Sequence, residues 1–219
     1  MSKINYWQKF EGNINYHIYN RGINGTNIFQ QEKNYHFFLS KWKKLIHPFF
    51  ETMAYCLMPN HFHFLVKVKP LSPEIKEVIS KMETSKSKKM MVEEISYNDF
   101  LEDQFKRLFS SYALAFNKQE KRTGSLFQKR FKRVSVDNEF KLWHLLAYIH
   151  HNPIHHKFTK DYTTWKFSSY ATLLSNQPTL VVREKVMFWF DDDEVEKAKE
   201  LFKNYHQDFK LDKKMDYLE

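Results

Sequence analysis

The stretch MPNHFHFLV, residues 58–66, places two histidines one residue apart inside an apolar, strand-like run. In a strand, side chains i and i+2 share a face. His61 and His63 therefore project side by side, while Phe62, Phe64 and Val66 project from the opposite surface. The apolar surface belongs against a core. The histidines then belong on the other face of the sheet, which this pattern leaves open. Two neutral imidazoles presented together suit a divalent metal. A pair of half-exposed surface histidines would give the same pattern.

Working outward, Pro59-Asn60 marks a turn, and residues 49–58 before it form a second strand-like run. Residues 13–22, NINYHIYNRG, are rich in Ile and Tyr and end in a turn signal. Between these strands Phe37, Phe38, Trp42, Leu45 and Ile46 recur at helical spacing, with Pro48 as the stop. A second helix is expected over 100–122, from the spacing of Leu101, Phe105, Leu108, Phe109, Tyr112 and Phe116. FKRVSV, 131–136, is a fourth short strand, and a helix capped by Asp137 or Asn138 follows and stops at Pro153. The order strand–helix–strand–strand–helix–strand implies an α+β protein with a ferredoxin-like split β-α-β antiparallel sheet and helices on one face. Residues 1–174 form the expected domain, with a charged, Ser-rich insertion at about 70–98 that is either a helical excursion or a long loop. Residues 175–219 form a C-terminal helical extension, its helix begun by DDDEVEKAKELFKNYH.

Composition narrows the function. The chain has 219 residues, of which 42% are apolar and 17% aromatic, enough for one substantial core. The single cysteine, Cys56, excludes an internal disulfide and fits a reducing compartment as a buried small hydrophobe. With only 4 glycines, a phosphate-binding glycine loop or dinucleotide fingerprint is excluded. No leader is visible, and no apolar run approaches the roughly 20 residues of a membrane span. The protein is expected to be soluble, with no membrane partner. A formal net charge of +9 points to polyanions, nucleic acid first.

The helix over 139–152 adds reactive groups. Tyr148 and Asn152 are spaced i and i+4 and share a helix face. An Asn side-chain oxygen is a hard donor that suits Mg²⁺ or Mn²⁺. A tyrosine hydroxyl becomes a useful nucleophile when aimed at a phosphate that a metal polarises.

The pair MPNHFHFLV and LLAYIHHNPIHH resembles the single-tyrosine His-hydrophobe-His transposases, and within them the REP-associated tyrosine transposases, relatives of the insertion-sequence 200/605 type. Further matches follow in order: YHIYNRGINGTNIF at 16–29, GSLFQKRFKRVSV at 124–136 and WKFSSY at 165–170. The resemblance covers roughly 13–174. It implies that His61 and His63 are metal ligands, that Tyr148 is the nucleophile, and that Asn152 helps hold the metal. It implies action on single-stranded DNA next to a hairpin, such as a REP-like palindrome. The tyrosine attacks the scissile phosphate, keeps the 5′ phosphate and releases a 3′ hydroxyl. It further implies a cytoplasmic, nucleoid-associated bacterial protein, monomer or homodimer. One departure stands out: many relatives carry Asn-Pro-x-Lys-His, whereas this chain has His155 where they have a lysine.

Arg21, Lys129, Arg130, Lys132 and Arg133 lie in basic stretches interleaved with Phe127 and Phe131, a mixture that suits phosphate neutralisation and base stacking. His150 and His151 flank the tyrosine, as proton shuttles or as structural groups. Two rival functions remain open: a nucleic-acid-binding protein of the same fold that has lost cleavage, and a His-x-His zinc hydrolase, which needs a third strong ligand.

Overall fold

A computed structural model describes residues 5–211; positions 1–4 of the expected domain and 212–219 of the expected extension lie outside the described residues. Strands β1 (Asn15–Arg21), β2 (Phe50–Met58), β3 (His61–Val68) and β4 (Lys132–Val136) form one four-stranded sheet in the order β2-β3-β1-β4. Each neighbouring pair is antiparallel. Helix α1 (Glu32–Leu45) carries the chain from β1 past β3 to β2. Helices α2 (Pro73–Ser80), α3 (Ser85–Met91) and α4 (Tyr97–Gln119) carry it from β3 past β1 to β4. This is the split β-α-β arrangement of an α+β protein that the element order implies.

The tight Pro59-Asn60 turn sets the register, pairing Met58 with His61 and Cys56 with His63. Alternation then sends Phe62, Phe64, Val66 and Val68 into a core shared with α1 and α4. Trp42 of α1 stacks on Phe64 with ring centroids 3.6 Å apart. The charged segment after β3 is helical: Ser72 caps α2, Thr84 caps α3, and Ile75, Ile79 and Met90 tuck into the same core.

The other face of the sheet is covered, contrary to the expectation that it stays open. Met53, Ala54, Cys56, Met58, Leu65 and Val136 form a second core with helices α5 (Glu139–His155), α6 (Tyr170–Leu174), α7 (Arg183–Met187) and α8 (Val195–Asp208). The reason lies in α5. Leu145, Leu146, Ala147 and Ile149 are all buried, so the helix is apolar nearly all round and packs between the sheet and the C-terminal helices. Asn138, one of the two expected caps, accepts from Lys141 N at 2.8 Å. Pro153 does not stop this helix. Its ring is buried in the last turn, packing holds that turn despite the missing N–H, and His156 N closes on Asn152 O at 3.0 Å. Among the described residues, no helix is long and apolar enough to cross a membrane.

Candidate functional site between the sheet and α5

Pairing of β1 with β3 places Tyr19 opposite His63 and Arg21 opposite His61. His17, two residues before Tyr19, joins the same face. His17 Nε2 lies 2.8 Å from His63 Nδ1. The rings of His17 and Tyr19 stack at 4.6 Å, and that of His63 stacks on them at 5.1 and 5.4 Å. Sequence patterning missed His17. Alternation around Tyr16 and Ile18 contains the signal, but it becomes useful only once the β1–β3 register is known.

His61 and His63 are 3% and 1% exposed, so they are interior groups rather than surface ones. Burial first, then the neighbouring His17 and His61, holds His63 well below the ordinary imidazole range. It is therefore neutral at pH 7, the state a metal ligand requires. His61 Nδ1 lies 2.6 Å from Asn60 Oδ1. An amide oxygen only accepts, which assigns the proton to Nδ1 and the lone pair to Nε2. Such a partner orients an imidazole toward a cation.

Helix α5 closes over these histidines. The Tyr148 ring stands edge-on to His63 at 5.8 Å and to His17 at 6.4 Å. Two turns further along, the His156 ring lies 4.4 Å from that of His61. Positions 148, 152 and 156 make one stripe on the helix, so Asn152 lies between these two contacts. Its Nδ2 donates to Tyr148 O at 2.9 Å. Its Oδ1 is buried without a hydrogen-bond partner, as is His63 Nε2. A buried polar atom left without a partner costs stability.

Among the described residues, no three His, Cys, Asp or Glu side chains converge as a metal-ligand group. The donor set at hand is instead two imidazoles and one amide oxygen. Such a set would leave coordination positions for water and a substrate phosphate oxygen. Were a divalent cation bound here, His61, His63 and Asn152 are the residues that would hold it.

A cavity of about 340 Å³ opens onto the histidines, lined by Tyr19, Asn20, Arg21, His61, His63, Gln128 and Lys132. Arg21 and Lys132 thus stand at its wall, and Lys129 and Arg130 are exposed nearby in sequence. Tyr148 is only 4% exposed and is not part of the lining.

Arg133 is elsewhere. It is 6% exposed, its guanidinium bonds Glu102 and the Gln8 carbonyl, and it lies 4.5 Å over the Phe10 ring. The strand alternation that puts Lys132 on the cavity side turns Arg133 into the opposite core, so it is a structural ion pair rather than a surface cation. Phe127 and Phe131 are likewise packed, against Phe109 at 5.1 and 5.4 Å. Phe127 is buried and Phe131 partly so. His150 and His151 point into the second core and meet α8 rather than the cavity.

Fold and site together define a class: a split β-α-β sheet whose paired histidines face a helix-borne tyrosine. No family model matches the chain. In sequence the chain is 27% identical over 123 residues to a Haemophilus influenzae protein provisionally named a REP-associated tyrosine transposase; the match takes in 55% of this chain and 59% of that relative. In structure it is similar to a REP-associated tyrosine transposase solved bound to a REP hairpin, with a TM-score of 0.50, 16% identity, and coverage of 81% of this chain and 89% of the other. That likeness is one of fold. Both comparisons fall on the family that the ordered motifs resemble.

Proposed function

We propose that this protein is a metal-dependent transesterase that cleaves and rejoins single-stranded DNA beside hairpins, in the manner of a REP-associated tyrosine transposase. The observation that carries this reading is the edge-on approach of Tyr148 to His63, with the orphaned Asn152 oxygen on the same helical stripe. Bound here, a divalent cation would polarise a non-bridging phosphate oxygen. Arg21 and Lys132 hold the flanking phosphates at the cavity wall. The Tyr148 oxygen attacks phosphorus, the Oη–P bond forms, and the P–O3′ bond breaks. Tyr148 Oη gives up its proton as it attacks, the 3′ oxygen takes up one proton and leaves as a hydroxyl, and the 5′ phosphate stays on the tyrosine. The total of ester bonds is unchanged, so the step can run backward to rejoin a strand. A single strand can bend into such a site, whereas a stiff duplex holds its phosphate against the partner strand.

The test is incubation of the chain with hairpin-flanked single strands, with Mg²⁺ or with chelator, followed by a denaturing gel. The wild type should form a covalent protein–DNA adduct and a fragment with a free 3′ hydroxyl, only with the metal. Tyr148→Phe should form none while binding the same DNA. An adduct in the Phe variant, or equal cleavage of a blunt duplex, would overturn the assignment.

A further inference from the structure

Residues just before β1 run along the outer edge of β4. Trp7 bridges Arg133 in parallel register, and Arg133 N donates to Tyr6 O at 2.8 Å. Ser135 N donates to the Gln8 side chain. Phe10 then anchors the segment in the first core, stacked on Phe105 at 5.5 Å. This strip is held in place at both ends of its length. Even so, Trp7 is 48% exposed.

An indole held rigidly in solvent costs little conformational entropy when something stacks on it. The surroundings select what that is. The Arg130 guanidinium lies 5.8 Å from the Trp7 ring. The rings of Tyr6 and Trp7 are 6.4 Å apart. Lys132 Nζ lies 4.8 Å from the Tyr6 ring and 5.4 Å from that of Tyr19. Tyr19 in turn stacks on His63. Aromatic rings are therefore interleaved with cations from the sheet edge to the cavity. A polyanion with flat apolar rings matches that alternation, and a single-stranded nucleic acid is such a ligand. A duplex hides its ring faces and does not.

We propose that Tyr6 and Trp7 form a stacking site for unpaired nucleobases flanking the scissile phosphate, with Arg130 and Lys132 neutralising the adjoining phosphates. This rests on the transesterase reading and adds to it the surface that selects unpaired DNA. It also replaces Phe127 and Phe131 as the aromatic partners of the basic segment.

Binding can be measured apart from cleavage, by anisotropy of a fluorescently labelled short oligothymidylate in chelator with the full chain. Trp7→Ala should weaken binding roughly ten-fold, and Trp7→Tyr should restore it to within about two-fold. A blunt duplex of the same length should bind wild type and Trp7→Ala alike. Thermal melting should be unchanged in both variants, because the side chain is half-exposed. Oligothymidylate binding by Trp7→Ala equal to wild type, or an equal loss on duplex, overturns the stacking site. So does a change in sedimentation mass without a change in DNA affinity, which would make the strip a contact between copies. The adduct assay is independent. A wild type that forms the adduct while Trp7→Ala binds normally loses only the stacking site; a wild type without adduct loses the chemistry while a Trp7 effect on binding still stands.

Discussion

Helix α5 lies between two groups of histidines that differ in one respect. On its far side, His206 Nδ1 donates to Phe202 O at 2.8 Å, so its Nε2 accepts from His150 Nδ1 at 2.8 Å. His150 Nε2 then accepts from Ser169 Oγ at 2.8 Å, and His151 Nε2 donates to His206 O at 2.9 Å. Both ring nitrogens of His150 and of His206 are used, and each tautomer follows from its neighbour. On the sheet side, His63 Nε2 and Asn152 Oδ1 are buried without a hydrogen-bond partner. A closed polar network fixes a fold, whereas each buried polar atom outside such a network calls for its own explanation. The same residue type is mortar on one side of the helix and a candidate ligand on the other.

The sharpest way to break this contrast is to truncate the sheet-side pair. His61→Ala and His63→Ala should each reduce metal-dependent adduct formation by at least roughly 100-fold, read at temperatures where the variants remain folded. Variants that unfold while surviving protein keeps its activity would make these histidines structural.

His206→Ala should do the reverse. It opens a cavity and strands the partners of two hydrogen bonds, costing about 2–4 kcal/mol of stability. Chemical denaturation reads that loss. Adduct formation should persist at temperatures where the variant is folded. An undiminished denaturation midpoint would show that the far-side network does not hold α8.

The smallest effect is on pH. Burial pushes the His206 pKa down to about 3, against an ordinary value near 6.5. The unfolded chain therefore binds a proton that the folded chain refuses, so stability is complete above about pH 6.5 and is lost as pH falls toward 3. At pH 5 the loss from His206 alone is about 2 kcal/mol. Thermal melts at pH 7.5 and 5 should show this drop in the wild type and a smaller one in His206→Gln. Equal drops would remove His206 as the titrating group.

Much of the fold was legible because its signals are local. Alternation in His61–Val68, the Pro59-Asn60 turn and the helical spacing of Phe38, Trp42 and Leu45 depend on near neighbours. The pairing of His61 with His63, and of Tyr148 with Asn152, follows from the same two periods. The burial of Arg133 did not follow. Its partner Glu102 lies 31 residues away on α4, and alternation alone does not say which face a central helix will cover.

By itself, then, the sequence determined the element order, the α+β class, the faces within each element and the ordered motifs that resemble those of tyrosine transposases. Tertiary structure alone decided that both sheet faces are covered, that His17 stands beside His63, and that His150 and His151 turn to α8 while Tyr148 turns to the sheet. It also left Trp7 half exposed at the sheet edge while burying Phe127. The physical reason is that a period states which side chains share a face, whereas burial, tautomer and accessibility depend on what a distant segment brings against that face. In α5, apolar nearly all round, no face is marked in advance, and only the packing of β3 on one side and α8 on the other assigns its histidines their parts.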